Sequence, residues 1–308
     1  MKKQKKRMIR RFYITSLLYF IIFSGASAQQ TDSLREKITG IIALKHARVG
    51  VAIAGNNGKD TLSINGEGHF PLQSVFKFHI ALAVLSQIDQ GKFSVDQQIK
   101  IEKKDLLPNL YSPIRDEHPR GASLSVSTIL AYTVSKSDNV GCDALLRLIG
   151  GPATVEEYLA KNNFKNVSIK TNEEQQQNNW DLQFQNWTTP KAANEILMSY
   201  YYNRNQRLSK KTYELLWKLM KETQTGEHRL RGGLPKETVV AHKTGSSGTN
   251  KQGLTAAVND IGIVFLPNGH PFFISVFVTA STEDAATNEK IIADIAKVTW
   301  DYFRKKTP

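Results

Sequence analysis

Cysteine is nearly absent from this sequence of 308 residues, which contains Cys142 and no other cysteine. A chain with one cysteine can form neither an internal disulfide nor a metal cluster held by several cysteines. Cys142 lies in an apolar stretch with helical spacing, where a free thiol is normally buried. We therefore predict a buried, non-catalytic Cys142, too far from the N-terminus to carry a lipid anchor.

Metal-ligating and phosphate-binding patterns are also missing. The seven histidines form no His-x-His or His-Glu-x-x-His pair, and His242 is predicted to be a strand residue rather than a ligand. No glycine-rich phosphate loop precedes a predicted helix. The sequence therefore predicts no metal site and no nucleotide or other cofactor.

Long apolar runs are confined to the N-terminus. A run from Phe12 to Phe23 follows a basic stretch and precedes Ala26 and Ala28, which form the small-x-small pattern that signal peptidase cleaves. The run is shorter than the roughly 20 residues that a membrane-spanning helix needs. We predict a signal peptide over residues 1–28, export to the periplasm, and no membrane span after cleavage.

Acidic residues are fewer than basic ones, with 28 Asp and Glu against 41 Lys and Arg and a formal net charge of +13. Seven of the basic residues precede residue 12, and no acidic residue lies before Asp32. From residue 29 onward the chain carries 34 basic residues (41 − 7) against 28 acidic ones, a net charge of +6. Such a balance predicts no nucleic-acid partner.

The order of the predicted elements indicates an α/β (α+β) fold. Helical patterns fill most of the middle of the chain, apart from a polar insert at 171–188, and strand-like runs lie near both ends, at 49–54, 61–65, 238–243, 256–266 and 272–279. We predict one catalytic domain over 29–308. Its antiparallel sheet comes from both chain ends (about 29–70 and 225–308) and is flanked by helices, with an inserted helical part at about 71–224. A cleft between the two parts is the expected site.

Three short motifs carry residues that suit acyl transfer: Ser74-Val75-Phe76-Lys77, Ser137-Asp138-Asn139 and Lys243-Thr244-Gly245. Each is weak alone, because a Ser-x-x-Lys occurs about once by chance in a chain of this length, and Ser74 could simply cap a helix. The context strengthens them. Ser74 is predicted to open a helix, which puts Lys77 on the same face, within reach of the serine hydroxyl.

The chemistry of these motifs is consistent with one site. A buried lysine with a lowered pKa can remove the serine proton, and backbone N–H groups at a helix N-terminus can bind an oxyanion. Lys243 and Thr244 end a predicted strand, and Gly245 allows a ligand to approach the backbone of that strand. Such a site can bind a carboxylate and an acyl carbonyl together.

In this order and spacing, the motifs resemble those of class A serine β-lactamases. Ser137 follows Ser74 by 63 residues (137 − 74), and Lys243 follows it by 169 (243 − 74). The resemblance extends over essentially the whole chain after residue 28. It is strongest to the extended-spectrum branch of the PER and VEB enzymes, through the segments Phe70-Pro71-Leu72-Gln73-Ser74, Gln185-Asn186-Trp187-Thr188 and Ala241-His242-Lys243-Thr244-Gly245.

The resemblance implies an exported, cofactor-free enzyme that hydrolyses β-lactams through an acyl-enzyme on Ser74. Lys77 would assist deprotonation of Ser74, and Ser137 would pass a proton to the leaving nitrogen. Glu173, 15 residues before Thr188, would be the deacylating base. Glu174 is the alternative base, and a solvated loop carboxylate is the alternative reading of Glu173.

The resemblance also implies a substrate-binding set. Asn139 would bind the substrate's side-chain amide, Lys243 with Thr244 would hold its carboxylate, and the N–H groups of Ser74 and Ser246 would form the oxyanion hole. The full set of expected substrate-binding residues is Tyr111, Asn139, Arg229, Lys243, Thr244, Gly245 and Ser246. Because this set is self-contained and the β-lactam substrate is small, we expect a monomer.

Some positions depart from the common family pattern. Gln177 replaces the usual asparagine four residues after the catalytic glutamate, which leaves the placement of the hydrolytic water open. Thr171 and Asn186 replace the arginine and aspartate whose salt bridge ties this loop, so the loop is expected to be held differently or to open wider.

The substrate rim also differs from the common pattern. Gln252-Gly253 stand where an arginine is usual, and Arg229 matches the substitute position of the PER-like branch; the alternative is that Arg229 and Arg231 are surface charges. The extra residues 248–251 lengthen the hairpin beside the substrate. A wider rim of this kind would favour bulky oxyimino-cephalosporins.

Three rival functions share this motif set. A penicillin-binding D-alanyl-D-alanine carboxypeptidase would be acylated but would release β-lactams very slowly, and Glu173 argues against it. A non-hydrolytic β-lactam sensor would also trap the acyl-enzyme, and the absence of a transmembrane segment and a signalling domain argues against that role. Another amidohydrolase, such as a glutaminase, is disfavoured by the export signal.

Overall fold

The computed structural model describes residues 31–306. The predicted signal peptide and its cleavage site after Ala28 lie outside the described residues. None of the helices between residues 31 and 306 combines the length and the hydropathy that a bilayer-spanning segment requires.

The described chain contains ten β-strands: β1 (Arg48–Gly55), β2 (Asp60–Ile64), β3 (Phe70–Pro71), β4 (Gln98–Ile101), β5 (Ala122–Ser125), β6 (Val167–Ser168), β7 (Trp187–Thr188), β8 (Val240–Ser246), β9 (Val258–Phe265) and β10 (Pro271–Thr279). Five of them form an antiparallel sheet in the order β2-β1-β10-β9-β8. Strands from both ends of the chain therefore build one sheet, which confirms the predicted fold.

The helices are α1 (residues 31–42), α2 (Phe76–Asp89), α3 (Pro113–Glu117), α4 (Val126–Ser135), α5 (Asn139–Ile149), α6 (Pro152–Lys161), α7 (Glu173–Asn178), α8 (Pro190–Tyr201), α9 (Lys210–Lys221) and α10 (Ala285–Lys306). Side-chain oxygens cap several N-termini, including those of α4, α5, α8 and α9. These caps satisfy N–H groups that a helix leaves unpaired at its start.

Helices cover both faces of the sheet, which explains why its central strands are almost continuously apolar. On one face, α1 and α10 pack on the sheet through a core that includes Ile38, Phe272 and Trp300. On the other face lies a larger core built around α2, which contains Phe76, Phe78 and Leu82. Helix α8 comes from the middle of the chain and packs on β1 and β10.

A small sheet in the order β3-β7-β6 connects two segments that are far apart in sequence. It joins Phe70–Pro71, just before Ser74, to Trp187–Thr188 at the end of the polar insert. The N–H of Leu72 also donates to the carbonyl of Asn186 at 2.8 Å. The loop over residues 171–188 is thereby fixed beside the start of α2.

The strand that carries Lys243 is longer than the sequence predicted. The prediction ended this strand at Lys243 and Thr244, whereas β8 continues to Ser246, because Gly245 and Ser246 also pair with Asn259 and Val258 of β9. The whole third motif therefore lies inside an edge strand of the main sheet, whereas the prediction left Gly245 outside the strand.

Candidate active site

Ser74 lies at the start of the central helix, as the sequence predicted. A 3-10 turn over Gln73–Val75 leads directly into α2. Ser74 is partly exposed, while its neighbours Gln73 and Val75 are buried. The serine hydroxyl is thus accessible from the cleft on a rigid, buried scaffold.

Lys77 lies one turn further along and is fully buried. Its Nζ lies 2.8 Å from Ser74 Oγ, 2.8 Å from Glu173 Oε1 and 2.8 Å from the carbonyl of Ser137. A fourth contact, at 2.5 Å, is with Asn139 Oδ1. Lys77 therefore connects the first two motifs with the glutamate of the polar insert.

The Ser137-Asp138-Asn139 motif connects α4 to α5. Asp138 caps α5 and accepts hydrogen bonds from Ser112 Oγ and from the N–H groups of Ile114 and Gly141. Burial raises the pKa of Asp138. Ser137 adopts a left-handed conformation, with φ of 60°. Its strained backbone turns the carbonyl of Ser137 toward Lys77 and its hydroxyl toward Lys243.

Lys243 faces the same cleft from β8 and is fully buried. Its Nζ donates to Ser137 Oγ at 2.9 Å and to the carbonyl of Thr244 at 3.0 Å. Burial, and after it the charge of Lys77, lowers the pKa of Lys243 well below its usual range. The third motif is therefore in direct contact with the second.

Gly245 is required by its own chain as well as by any ligand. A Cβ at this position would lie 2.6 Å from the carbonyl oxygen of Leu72 and 3.3 Å from the backbone nitrogen of Ser74. Asn259 of β9 donates to the carbonyls of Pro71 and Leu72 and so holds the two segments together. The glycine allows β8 to pack against the residues that precede Ser74.

Glu173 is the first residue of the short helix α7, and its carboxylate is buried beside Ser74. Ser74 Oγ lies 3.5 Å from Glu173 Oε1. Glu174, the alternative base, is exposed. Gln177 is also exposed, one turn after Glu173. Of the two adjacent glutamates, the structure places Glu173 in the site.

Asp143 holds the start of α7, a role that the sequence analysis missed. Its carboxylate accepts hydrogen bonds from the N–H groups of Glu173 and Glu174, at 2.9 and 3.0 Å. Asp143 follows Asn139 by four residues on α5, and this spacing was the signal that could have placed it on the cleft face. Burial, and after it the carboxylate of Glu173, raises the pKa of Asp143 to about 7.

This raised pKa predicts a pH dependence of stability. The folded state binds a proton at Asp143 that the unfolded chain has already lost, so the free energy of unfolding falls as the pH rises toward 7. Asp143→Asn lacks this contribution, so between about pH 5 and pH 8 we expect its free energy of unfolding to fall by about 3 kcal/mol less than that of the unmutated protein. Urea unfolding of both proteins at the two pH values measures this. Parallel declines would contradict the prediction.

Asn186 anchors the polar insert in place of a salt bridge. Its Oδ1 accepts from the N–H groups of Lys170 and Thr171 at 2.7 and 3.0 Å. Its Nδ2 donates to the carbonyl of Thr171 at 2.8 Å. Asn186 is fully buried and Thr171 nearly so. Neutral hydrogen bonds between Thr171 and Asn186 therefore hold this loop, at the two positions where the common family pattern has a salt bridge.

Removal of this anchor should destabilise the protein. Asn186→Ala removes the partner of three backbone groups, of which the N–H and the carbonyl of Thr171 are buried, so we expect the free energy of unfolding to fall by about 3 kcal/mol. Asn178→Ala, at an exposed position of α7, is the matched control and should change stability by less than about 0.5 kcal/mol. Equal urea midpoints for the two variants would show that the Asn186 hydrogen bonds do not stabilise the loop.

Arg229 reaches the exposed end of β8 from the segment between α9 and β8. It donates to the carbonyls of Gly245 and Asn259, both at 3.0 Å, and to Ser246 Oγ at 2.7 Å. Glu289 of α10 pairs with its Nε at 3.1 Å. The residue is 8% exposed, so it is not a free surface charge.

Of two further expected residues, one is exposed and one is buried. Tyr111 is 56% exposed, and its carbonyl accepts a hydrogen bond from the N–H of Asn139. Thr244 is buried, and its Oγ1 contacts Thr225 Oγ1 at 2.6 Å.

Cys142 is buried as predicted. The described residues contain no cluster of three potential metal ligands.

The structure thus brings Ser74, Lys77, Glu173, Ser137 and Lys243 into one hydrogen-bonded chain. A nucleophile, two groups able to accept its proton and a second hydroxyl lie next to the buried amine of Lys243. Such an arrangement can form an acyl-enzyme, protonate a leaving nitrogen and activate a water for hydrolysis.

Comparison with known proteins agrees with this chemistry. A model of the β-lactamase enzyme family matches residues 33–303. β-Lactamase VEB-1 of Pseudomonas aeruginosa is 53% identical, and the match covers 97% of this chain and 100% of VEB-1. The extended-spectrum β-lactamase PER-1 of the same organism is 42% identical, with 97% of each chain covered.

Solved structures give the same result. TLA-1 extended-spectrum β-lactamase is 49% identical, with a TM-score of 0.86 over 89% of this chain and 99% of that structure. A β-lactamase from Chitinophaga pinensis is 48% identical, with a TM-score of 0.85 over 87% of this chain and 98% of that structure. The chain therefore belongs to the β-lactamase enzyme family, as a class A serine enzyme that hydrolyses β-lactams.

Proposed function

We propose that Ser74 Oγ attacks the β-lactam carbonyl and that its one proton is taken up by the hydrogen-bonded pair of Lys77 and Glu173. The observation that carries this proposal is the close contact of the three groups. Lys77 Nζ lies 2.8 Å from both Ser74 Oγ and Glu173 Oε1, and the serine and glutamate oxygens lie 3.5 Å apart. A new C–O bond forms at Ser74, and the C–N bond of the ring breaks.

Ser137 protonates the nitrogen that leaves. Its hydroxyl contacts Lys243 Nζ at 2.9 Å, and its carbonyl contacts Lys77 at 2.8 Å. Ser137 Oγ gives its proton to the ring nitrogen, and the proton released by Ser74 replaces it, so acylation leaves the number of protons in the site unchanged. The N–H groups of Ser74 and Ser246 form the oxyanion hole, where one donor is typically worth about 10²–10³ in turnover.

Glu173 activates the water that releases the product. Its buried carboxylate lies next to the serine oxygen that carries the acyl group. The two hydrogen bonds that the N–H groups of Glu173 and Glu174 donate to Asp143 fix the backbone at the start of α7. Water attack on the ester breaks the C–O bond, and the proton of the water returns to Ser74 through Glu173.

The substrate's carboxylate binds at the end of β8. Lys243, Thr244 and Ser246 are aligned there, and Arg229 adds a cation that contacts Ser246 Oγ at 2.7 Å. Lys77 contacts Asn139 Oδ1, so Asn139 binds the side-chain amide of the substrate through its Nδ2. Tyr111 packs on the substrate from the exposed rim.

An extended substrate spectrum is the next part of the proposal. PER-1 and TLA-1 are both named extended-spectrum β-lactamases, and the residues 248–251, which the family resemblance indicates as extra, lie in the connection between β8 and β9. We expect turnover of ceftazidime that is measurable beside that of benzylpenicillin. Initial rates with both substrates test this, and negligible turnover of ceftazidime would contradict it.

The cellular setting completes the proposal. The N-terminal basic and apolar pattern ending at Ala28 supports export to the periplasm. All the side chains assigned above come from a single chain, which supports a monomeric enzyme. Light scattering of the mature protein tests the monomer, and fractionation of expressing cells tests the periplasmic location.

A time course with a chromogenic cephalosporin tests the reaction itself. We expect the purified mature protein to form product far beyond about one equivalent per enzyme, because Glu173 hydrolyses the acyl-enzyme. A burst of about one equivalent followed by almost no turnover would contradict the proposal. That result would instead indicate a carboxypeptidase or a sensor.

A further inference from the structure

A short segment between α9 and β8 contacts two of the hydroxyls assigned to carboxylate binding. Thr244 and Ser246 are two residues apart in β8, so their side chains lie on the same face of the strand. Thr225 Oγ1 lies 2.6 Å from Thr244 Oγ1, and Arg229 donates to Ser246 Oγ at 2.7 Å. Residues 225–229 therefore contact both hydroxyls.

The position of β8 makes these hydroxyls available to a ligand. β8 is the last strand in the order of the main sheet, so one of its edges has no neighbouring strand. The side chain of Lys243 leaves β8 on the opposite face and contacts Ser137 Oγ at 2.9 Å. A carboxylate bound at the free edge can therefore be approached from both faces of the strand.

Two neighbours fix the side-chain rotamer of Thr244. Gly226 has a φ of 74°, and a Cβ at this position would lie 2.5 Å from Thr244 Cγ2. The methyl group of Thr244 thus fills the space that a side chain at position 226 would occupy. Because χ1 of a threonine is staggered, the place of the methyl group also fixes the place of the hydroxyl oxygen, which contacts Thr225.

The direction of these hydrogen bonds follows from what each group can donate. The guanidinium of Arg229 can only donate, so Ser246 Oγ accepts from it and keeps its own proton for another acceptor. Among residues 31–306, Thr225 is the one hydrogen-bond partner of Thr244 Oγ1. An ionised carboxylate can only accept. When Thr244 donates its proton to the substrate, the donor in its contact with Thr225 must therefore be Thr225.

We propose that Thr225 is a positioning residue, which donates a hydrogen bond to Thr244 Oγ1 and so directs the proton of Thr244 toward the carboxylate of the substrate. The inference rests on the proposed role of Thr244. Thr225 acts through Thr244, as Arg229 acts through Ser246, and it increases the preference of the enzyme for anionic over neutral β-lactams. A hydroxyl that accepts one hydrogen bond is also a stronger donor of the next.

Two variants and two substrates isolate the Thr225 hydroxyl. Thr225→Ala and Thr225→Ser both lack the methyl group and differ in one oxygen atom. The substrates are benzylpenicillin and its methyl ester, in which a neutral group replaces the carboxylate. Single-turnover rates with the enzyme in excess give kcat/KM for both, even where the ester reacts slowly.

Thr225→Ala should lower kcat/KM for benzylpenicillin by about fivefold, the size expected for one hydrogen bond. The same variant should lower kcat/KM for the ester by less than about twofold, because hydrogen bonds to a neutral acceptor are weaker than those to an ionised one. Thr225→Ser keeps the donor and should stay within about twofold of the unmutated enzyme on both substrates.

Thr223→Ala is the matched control on the same segment. The hydroxyl of Thr223 is buried and donates to the carbonyl of His242 at 2.6 Å, away from Thr244. This variant should be less stable to heat but should keep the ratio of the two kcat/KM values. Circular dichroism checks that each variant is folded. Equal losses on acid and ester in Thr225→Ala, or an equal effect of Thr225→Ser, would overturn the proposal.

Thr244→Val separates this inference from the proposed function. It should lower the acid-to-ester ratio at least as much as Thr225→Ala, and adding Thr225→Ala to it should lower the ratio no further. An unchanged ratio in Thr244→Val would show that Thr244 does not bind the carboxylate, and the inference would fail with that assignment. A lowered ratio in Thr244→Val but not in Thr225→Ala would overturn the role of Thr225 alone.

Discussion

Glu173→Gln should acylate but should not turn over. The glutamine keeps the size of the side chain and a hydrogen bond toward Lys77, but it cannot accept a proton from water. A general base contributes about 10²–10⁴ in rate, so we expect steady-state turnover to fall by about 10³ or more. A chromogenic cephalosporin should still give a burst of about one equivalent, and Glu173→Ala should behave in the same way.

The adjacent glutamate provides the matched control. Glu174→Gln changes an exposed carboxylate one residue away and leaves the backbone N–H that Asp143 accepts. It should retain the burst and the turnover of the unmutated enzyme. Continued turnover in Glu173→Gln, or its loss in Glu174→Gln, would show that the base has been assigned to the wrong residue.

Ser74→Ala should abolish covalent chemistry altogether. The substitution removes the oxygen that forms the ester, while the buried scaffold of Val75 and Phe76 is unchanged. Loss of the nucleophile in another serine hydrolase costs about 10⁶ in kcat, so we expect neither burst nor turnover. Intact-protein mass spectrometry after incubation with a penicillin should show no adduct, whereas Glu173→Gln should accumulate one.

An exposed serine on α1 provides the control for this experiment. Ser33→Ala lies at the surface and should form the adduct and hydrolyse it as the unmutated enzyme does. Ser74→Ala should also keep its folded circular dichroism spectrum, since Ser74 is partly exposed and contributes little to the core. An adduct on Ser74→Ala would place the nucleophile elsewhere.

Features that depend on local pattern could be predicted before the structure was known. Strand-like runs near both ends and helical periodicity between them fixed the fold class, since apolar periodicity reports burial directly. Ser74 and Lys77 were predicted to meet because three residues along a helix return to the same face, and their atoms lie 2.8 Å apart. The burial of Cys142 followed from its apolar surroundings in the same way.

The tertiary structure alone decided the contacts between residues far apart in the chain. The sequence favoured Glu173 but left Glu174 as the alternative. Adjacent glutamates in a polar loop are distinguished only by where their side chains point in the folded protein. Packing of α7 on α5 buries the first and exposes the second. Asp143, which fixes α7 through two backbone N–H groups, was missed for the same reason.

Charge states also required the folded protein. The motifs predicted a role for Lys243 but not the charged groups around it, which come from three elements and one connecting segment; burial together with these charges lowers its pKa. The pair of His242 with Asp260 joins residues 18 positions apart on adjacent strands. Electrostatic effects depend on distance and on exclusion of water, and both are properties of the tertiary structure rather than of sequence order.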